Sequence, residues 1–273
     1  MKILFCGDVV GKSGRDALFT HLPLLKEKLQ PDCIIVNGEN AAHGFGISAA
    51  ICKDLYKIGV HVITTGNHAF DHREIMTHMA TDKNLIRPIN YPAKTAGNGL
   101  VVYTTPRGLK VLVVNVMGRL FMDPLDDPFA AMEKIFSTYV LGGLVQAIVV
   151  DVHAEATSEK MGMGHFCDGR ASLVVGTHTH IPTADCQILP NGTAYMTDAG
   201  MCGDYNSVVG MDKRIPLFKF TRKIPPPERM QPATDVGTVC GVFVETDDNT
   251  GLAKKIKAIR IGARLDETPL DGI

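Results

Sequence analysis

The sequence predicts an α/β protein whose strands end at one common edge. Three observations carry this. Apolar runs of strand length alternate with helix-like segments over the first 90 residues. Turn signals then separate further apolar runs as far as residue 262. Five of these runs stop in carboxylate, amide or imidazole side chains, and in α/β sheets ligands gather in the crevice beyond the carboxyl ends of the strands.

Taken in order, residues 2–7 read as a strand, 13–29 as a helix, 33–37 as a strand, 48–58 as a helix and 60–65 as a strand. Ser48 is placed to cap the second helix and Gly59 to stop it. This βαβαβ rhythm implies parallel strands joined by crossover helices. Residues 99–104 and 110–116 form two strands about the turn Pro106-Arg107-Gly108, and a helix over about 128–141 opens at Asp127-Pro128. Strands follow at 145–152 and 172–177, and strands near 184–189 and 193–197 flank Pro190-Asn191-Gly192, a hairpin signal. Beyond Pro225-Pro226-Pro227, residues 237–246 and 253–262 read as two strands joined by Asp247-Asp248-Asn249-Thr250-Gly251. No repeat, heptad or low-complexity tract is visible. The proline stretch lies too close to the C-terminus to separate two cores, so residues 1–273 are expected to form a single domain with a mixed sheet or two packed sheets.

Composition narrows the function classes. Hydrophobic content of 45% and charged content of 21% are those of a globular protein, and the net charge of −1 gives no global attraction to nucleic-acid polymers or anionic membranes. The first apolar stretch is too short for a signal peptide, and no run approaches the ~18 apolar residues of a membrane span. Seven cysteines without a Cys-x-x-Cys pair, with Cys6, Cys33, Cys52 and Cys240 in apolar or mixed stretches, suit buried reduced thiols and a cytoplasmic location. The segment 117–130 carries Met117, Leu120, Phe121 and Met122, which would offer a homo-oligomer contact if exposed.

The ligand-type endings are Asp8, Glu39-Asn40, Asn67-His68, His153 and His178/His180. A lone Asp or Glu after a strand is more often a turn residue or cap. His178-Thr179-His180 is stronger, because alternating histidines at a strand end reach one ion or two neighbouring ions. Carboxylate, amide oxygen and imidazole suit Mn²⁺, Fe or Zn²⁺ better than Ca²⁺ or a thiolate metal. Eight side chains exceed the four of one structural zinc but match two ions about 3.5–4 Å apart, the arrangement used for phosphoryl transfer. A carboxylate must then bridge, and Glu39, on the middle of the first three strands, is the choice.

Here a family resemblance becomes explicit. Gly7-Asp8-Val9-Val10-Gly11, Asn37-Gly38-Glu39-Asn40-Ala41-Ala42, Thr65-Gly66-Asn67-His68, His153-Ala154-Glu155 and Gly176-Thr177-His178-Thr179-His180 follow, in order, the calcineurin-like metallophosphoesterase motifs. With Thr197-Asp198-Ala199-Gly200-Met201 and Ser207-Val208-Val209-Gly210, the chain resembles the bacterial YmdB-like branch over nearly its whole length. The resemblance implies two packed mixed β-sheets flanked by helices, an αββα sandwich. It implies that Asp8, Glu39, Asn40 and His180 hold one ion, that Glu39, Asn67, His153 and His178 hold the other, and that His68 stays unliganded as the catalytic group. The ions would be iron or manganese, with zinc as the further option. Two departures from the wider superfamily are the rule in this branch: Asp8-Val9-Val10 replaces Asp-x-His, and Asn37-Gly38-Glu39-Asn40 replaces Gly-Asp-x-x-Asp. Phe70, Cys202 and Asp204, where relatives often carry Trp, Thr and Pro, bear on substrate fit.

The implied activity is hydrolysis of small nucleotide phosphodiesters, 2′,3′-cyclic nucleotides first, with weaker action on phosphomonoesters. A hydroxide between the ions would attack phosphorus in line while His68 assists the leaving oxygen. The alternative is a regulatory scaffold that binds a nucleotide or protein through a vestigial site. Its only support is the absent first-motif histidine. Gly7-Asp8-Val9-Val10-Gly11-Lys12-Ser13 imitates a P-loop, but only three residues precede Gly-Lys-Ser and Cys6 stands where the first glycine belongs. Lys12 and Arg15 either contact phosphate or are solvated. Gly44-Phe45-Gly46 is a turn or a rim loop. His21, His43, His61, His72, His78 and His165 read as surface or structural, with His43 nearest the bridging motif.

Overall fold

A computed structural model describes residues 1–270. The elements are β1 (Lys2–Cys6), β2 (Asp8–Val9), α1 (Gly11–Leu29), β3 (Cys33–Asn37), α2 (Ala49–Lys57), β4 (Val62–Thr64), α3 (Ile75–Met79), β5 (Leu100–Thr104) and β6 (Lys110–Met117). They continue with α4 (Pro128–Thr138), β7 (Ala147–His153), α5 (Thr157–Cys167), β8 (Leu173–Thr177), β9 (Gln187–Ile188), β10 (Ala194–Met196), β11 (Met201–Cys202), α6 (Arg214–Arg222), β12 (Thr238–Thr246) and β13 (Ala253–Gly262).

Two large mixed sheets and a short parallel pair, β2 with β11, result. The first has the order β13-β12-β1-β3-β4, with β1, β3 and β4 parallel and β12 and β13 antiparallel at one side. The second has the order β5-β6-β7-β8-β10-β9, parallel in its centre and antiparallel at both edges. Strand alternation explains how they stack, since successive side chains point to opposite faces. On β1, Leu4 and Cys6 pack toward helices α1 and α2, with Ile34, Val36, Leu22 and Leu55. Ile3 and Phe5 point the other way, into a core shared with Val113, Val149, Leu173 and Val175 of the second sheet. The outer face of that sheet, Leu112, Val114, Ile148 and Val150, is covered by Met132 of α4 and Met163 of α5. Helix, sheet, sheet, helix is therefore the layer order, and the αββα expectation holds.

Local signals behaved as expected where they had a mechanism. The Ser48 side chain accepts from the Ile51 amide at 3.3 Å, and the Asp127 carboxylate accepts from Phe129 and Ala130 at 2.8 and 3.1 Å with Pro128 behind it. Three helices had no expectation. In α5, Gly162 and Gly164 dilute the helical pattern. Gly164 is required there by packing, because a Cβ would lie 2.5 Å from the Tyr195 ring. Helix α6 is half exposed and carries Pro216, and α3 is only five residues long. Met117 is fully buried, so it belongs to no contact surface, whereas Leu120 and Phe121 are 49% and 91% exposed.

The shared core makes a direct test. Phe5 is fully buried between the sheets. Phe5→Ala should lower the unfolding free energy by about 3–5 kcal/mol, read as a lower urea midpoint with an unchanged slope.

Candidate metal centre

The layer between the sheets turns polar at its last rung. Along β7 the inward residues run Ala147, Val149, Asp151, His153, and along β8 they run Leu173, Val175, Thr177. Opposite them, β3 ends in Asn37 and β4 in Thr64, which are register partners, just as His153 is the partner of Thr177. All of these polar groups are buried. The Asp151 carboxylate satisfies them together: it accepts from Thr177 Oγ1 at 2.7 Å, from Asn37 Nδ2 at 3.1 Å and from the Thr64 hydroxyl. Burial raises the Asp151 pKa, opposed by His153 and these three donors.

This network fixes the ring of His153. Thr177 has one hydroxyl hydrogen, and it goes to Asp151. The Thr177 oxygen therefore accepts from His153 Nδ1, 2.9 Å away, so that, in the deprotonated form a metal requires, the lone pair of His153 is on Nε2. That nitrogen faces Asn67 Oδ1 at 2.9 Å, Glu39 Oε1 at 3.1 Å and His178 Nδ1 at 3.2 Å. A histidine whose far nitrogen is held by a hydroxyl–carboxylate pair is oriented as metal-binding histidines commonly are.

The second half of the cluster lies across Glu39. Asp8, the first residue of β2 just beyond β1, accepts from the His178 amide at 3.2 and 3.3 Å, and its Oδ1 is 3.9 Å from His180 Nε2. Asn40 Nδ2 lies 3.1 Å from Glu39 Oε1 and 3.2 Å from His180 Nε2. His180 Nδ1 donates to the Val209 carbonyl at 2.7 Å, which again leaves Nε2 turned inward. One donor atom each from Glu39, His153 and His178 lie within 4.8 Å of one another, and the same is true of Asp8, Glu39 and His180. All eight residues singled out in the sequence, His68 included, border this one region, and Glu39 belongs to both groups.

The turn that aims the two histidines is strained. His178 and His180 have φ of +92° and +66°, a region that non-glycine residues avoid. A buried ion pair holds it in place. Lys160 of α5, fully buried, donates to Asp198 Oδ2 at 2.7 Å, and the same oxygen accepts the Thr179 hydroxyl at 2.6 Å and the Thr179 amide at 3.2 Å. Thr179 is thereby pinned between the two histidines.

Three features show that these residues fit a divalent cation. The inward atoms are carboxylate, amide and imidazole groups, the donor set of a hard or borderline metal. Gly66 sits so close that a Cβ would fall 2.2 Å from His153 Nε2 and 2.3 Å from Glu39 Oε2, which reserves that space. The charges are also unbalanced. Burial pushes Glu39 up, but His153 and His68 together outweigh it and bring Glu39 down to about 2, and His153 is correspondingly raised to about 9 by Glu39 and Asp8 against its own burial. Asp8 is driven up to about 7 by burial, which His180 and His153 only partly counter. A buried carboxylate in that position is stabilised by a cation.

Cluster and rim together enclose a cavity of about 310 Å³, bordered by Glu39, Phe45, His68, Glu155 and His178. The Phe45 ring meets His68 edge-on at 5.1 Å, and His72 Nε2 is 3.0 Å from the Phe45 carbonyl, so Gly44-Phe45-Gly46 is a rim loop held by His72. His43 is exposed and does not border this cavity. His61 is structural, accepting from the Ile34 amide at 2.9 Å and stacking on Tyr103. Lys12 pairs with Asp16, and Arg15 donates to the Ala41 carbonyl. Neither borders the cavity. Sequence reasoning missed Asp151, Thr177, Lys160 and Asp198 as supports of the histidines, and Glu155, whose Oε2 lies 3.2 Å from His178 Nε2.

A helix–sheet–sheet–helix sandwich with such a cluster at its shared strand edge defines a metallophosphoesterase, a metal-dependent phosphoric ester hydrolase. A profile of the YmdB-like protein family matches residues 4–259, and the chain belongs to that family. It is 45% identical over 261 residues to a 2′,3′-cyclic-nucleotide 2′-phosphodiesterase of Bacillus subtilis (strain 168), covering 96% of this chain and 97% of that one. The crystal structure of a hypothetical protein from Thermus thermophilus superposes with a TM-score of 0.89 at 38% identity, covering 97% of this chain and all of that one. That of a novel phosphatase from Mycoplasma pneumoniae superposes with a TM-score of 0.88 at 35% identity, covering 96% and 93%.

Two variants probe the supports. Thr177→Val removes the group that orients His153 and should weaken metal binding by about 10–100-fold with unchanged circular dichroism. Gly66→Ala should lower bound metal, measured by elemental analysis, because its methyl group occupies the space between His153 and Glu39.

Proposed function

We propose that this protein is a dinuclear phosphodiesterase for small nucleotides, 2′,3′-cyclic nucleotides first and phosphomonoesters more weakly, with its two sheets working as one domain. The observation that carries the reading is Glu39, fully buried and common to both donor groups. Asp8, Glu39, Asn40 and His180 would hold one ion, and Glu39, Asn67, His153 and His178 the other. Iron or manganese suits this donor set, with zinc as the further option. When bound, the ions supply Lewis acidity toward phosphate oxygens and a more acidic water. The similarity to the Bacillus enzyme supports the choice of substrate, and a cavity of about 310 Å³ matches a mononucleotide better than a globular partner.

The chain's own residues then have distinct tasks. His68 is the general acid. Its Nδ1 lies 2.8 Å from Asp71 Oδ2, and an ionised carboxylate only accepts, so that nitrogen carries a proton and Nε2 is left to exchange one with the leaving oxygen. The His68 amide also donates to Glu39 Oε2 at 3.2 Å, which ties the acid to the bridging group. Phe45 closes one side of the cavity and shields the reacting phosphate from water.

Two outcomes are expected. Glu39→Gln should reduce metal content and turnover together, since a neutral amide is a poor bridge between cations. His68→Ala should keep its metal while turnover falls by about 10²-fold or more, less for a nitrophenyl ester than for a poorer leaving group. Loss of metal in His68→Ala would make it a ligand, and unchanged turnover of both esters would end its role as acid.

A further inference from the structure

Met211 and Met230 both border the cavity, so the stretch between them leaves the rim of the site and returns to it. That stretch departs from the rest of the molecule in charge. It holds Lys213, Arg214, Lys219, Arg222, Lys223 and Arg229 against the single acidic residue Glu228 after Asp212, in a chain whose formal charge is −1. Arg214 is occupied by Asp212 at 2.7 Å. Among the described residues, Lys219, Arg222, Lys223 and Arg229 have no ion-pair partner, and all four are exposed. Aromatic side chains are interleaved with them: Phe218-Lys219-Phe220 on α6, with Phe220 67% exposed and the Arg222 guanidinium 5.9 Å from the Phe218 ring centre.

Exposed rings between cations are the means by which single-stranded nucleic acid is bound without sequence readout. Bases stack on the rings, and the cations follow the backbone. Resting on the proposed activity, we infer that the preferred substrate is the 3′ end of a single-stranded RNA closed by a 2′,3′-cyclic phosphate. The terminal phosphate would enter the cavity past Met211 and Met230, and the preceding nucleotides would lie on α6. A second copy of this chain is the less suitable occupant, because a symmetric contact through α6 would set like charges against each other. An anionic membrane would satisfy the charge, but it gives no reason for the segment to begin and end at a phosphoester site.

The test compares 2′,3′-cyclic AMP with an oligoribonucleotide of about eight nucleotides bearing a terminal 2′,3′-cyclic phosphate. The metal-loaded wild type and the triple variant Lys219→Glu/Arg222→Glu/Lys223→Glu are assayed for kcat/KM and, by fluorescence anisotropy, for oligonucleotide binding. We expect the oligonucleotide to exceed the mononucleotide by about tenfold or more in kcat/KM at low salt. Its binding should weaken by about fifteenfold between about 50 and 200 mM salt, as expected for three phosphate contacts. The triple variant should lose the oligonucleotide's advantage and keep its rate on 2′,3′-cyclic AMP. Equal rates on both substrates, or an advantage that survives charge reversal, would overturn the inference. So would wild-type binding to phosphatidylserine vesicles in place of the oligonucleotide, or a change of oligomeric state in Leu217→Ser/Phe220→Ser without a change in oligonucleotide binding. Tight, charge-dependent oligonucleotide binding with no hydrolysis of either ester would uphold the surface and reject the proposed activity instead.

Discussion

The carboxylate of Asp151 is the constraint on which the rest depends. It is fully buried where the two sheets meet, and it accepts from Asn37 and Thr64 of one sheet and Thr177 of the other. Without it, the hydroxyls of Thr64 and Thr177 would be left without an acceptor in a dry layer, each at a cost of about 1–3 kcal/mol, and Asn37 would keep its bond to the Thr65 carbonyl. The same carboxylate sets the hydroxyl of Thr177, and through it the ring nitrogen that His153 turns to Glu39. Cohesion of the sandwich and orientation of a metal-facing histidine are thus one network.

The remainder of the centre follows the same division of labour. Glu39-Asn40 and Asn67 follow strands of the first sheet, Asp8 lies in β2 just beyond it, and His153, His178 and His180 come from the second, so neither sheet holds a complete set of donors. The backbone strain at His178 and His180 is retained because the buried Lys160–Asp198 pair holds Thr179 between them. Burial of that pair is costly on its own account. Its hydrogen bonds to the turn give it a function that a hydrophobic pair of equal volume lacks.

Much of this was legible in the sequence, for a physical reason. Strands β1, β3, β4, β7 and β8 are short apolar runs, and a polar group at the end of such a run has few places to go but the strand edge. The order of the motifs therefore singled out eight residues that the fold brings to one region. The supports were not legible. Thr64 and Thr177 look like ordinary strand residues, and Asp151 pairs with Asn37 only because the register of two separate sheets brings residues 114 positions apart to 3.1 Å. Lys160 was hidden by the glycines that blurred α5. The basic, aromatic α6 was concealed by a whole-chain charge near neutrality, because averaging over 273 residues cancels a patch confined to one helix.

The placement of β12 and β13 bears on when the protein becomes functional during its synthesis. Asp8 follows β1, yet one of the two neighbours of β1 in its sheet is β12, made from residues 238–246. Chains fold from the N-terminus as they leave the ribosome. The first sheet nevertheless stays incomplete until β12 and β13 have emerged, well after every donor residue has been translated. A half-made chain thus holds the donors without the frame that aligns them. Alignment of the donors waits on strands that are translated last, although the donors themselves are made earlier.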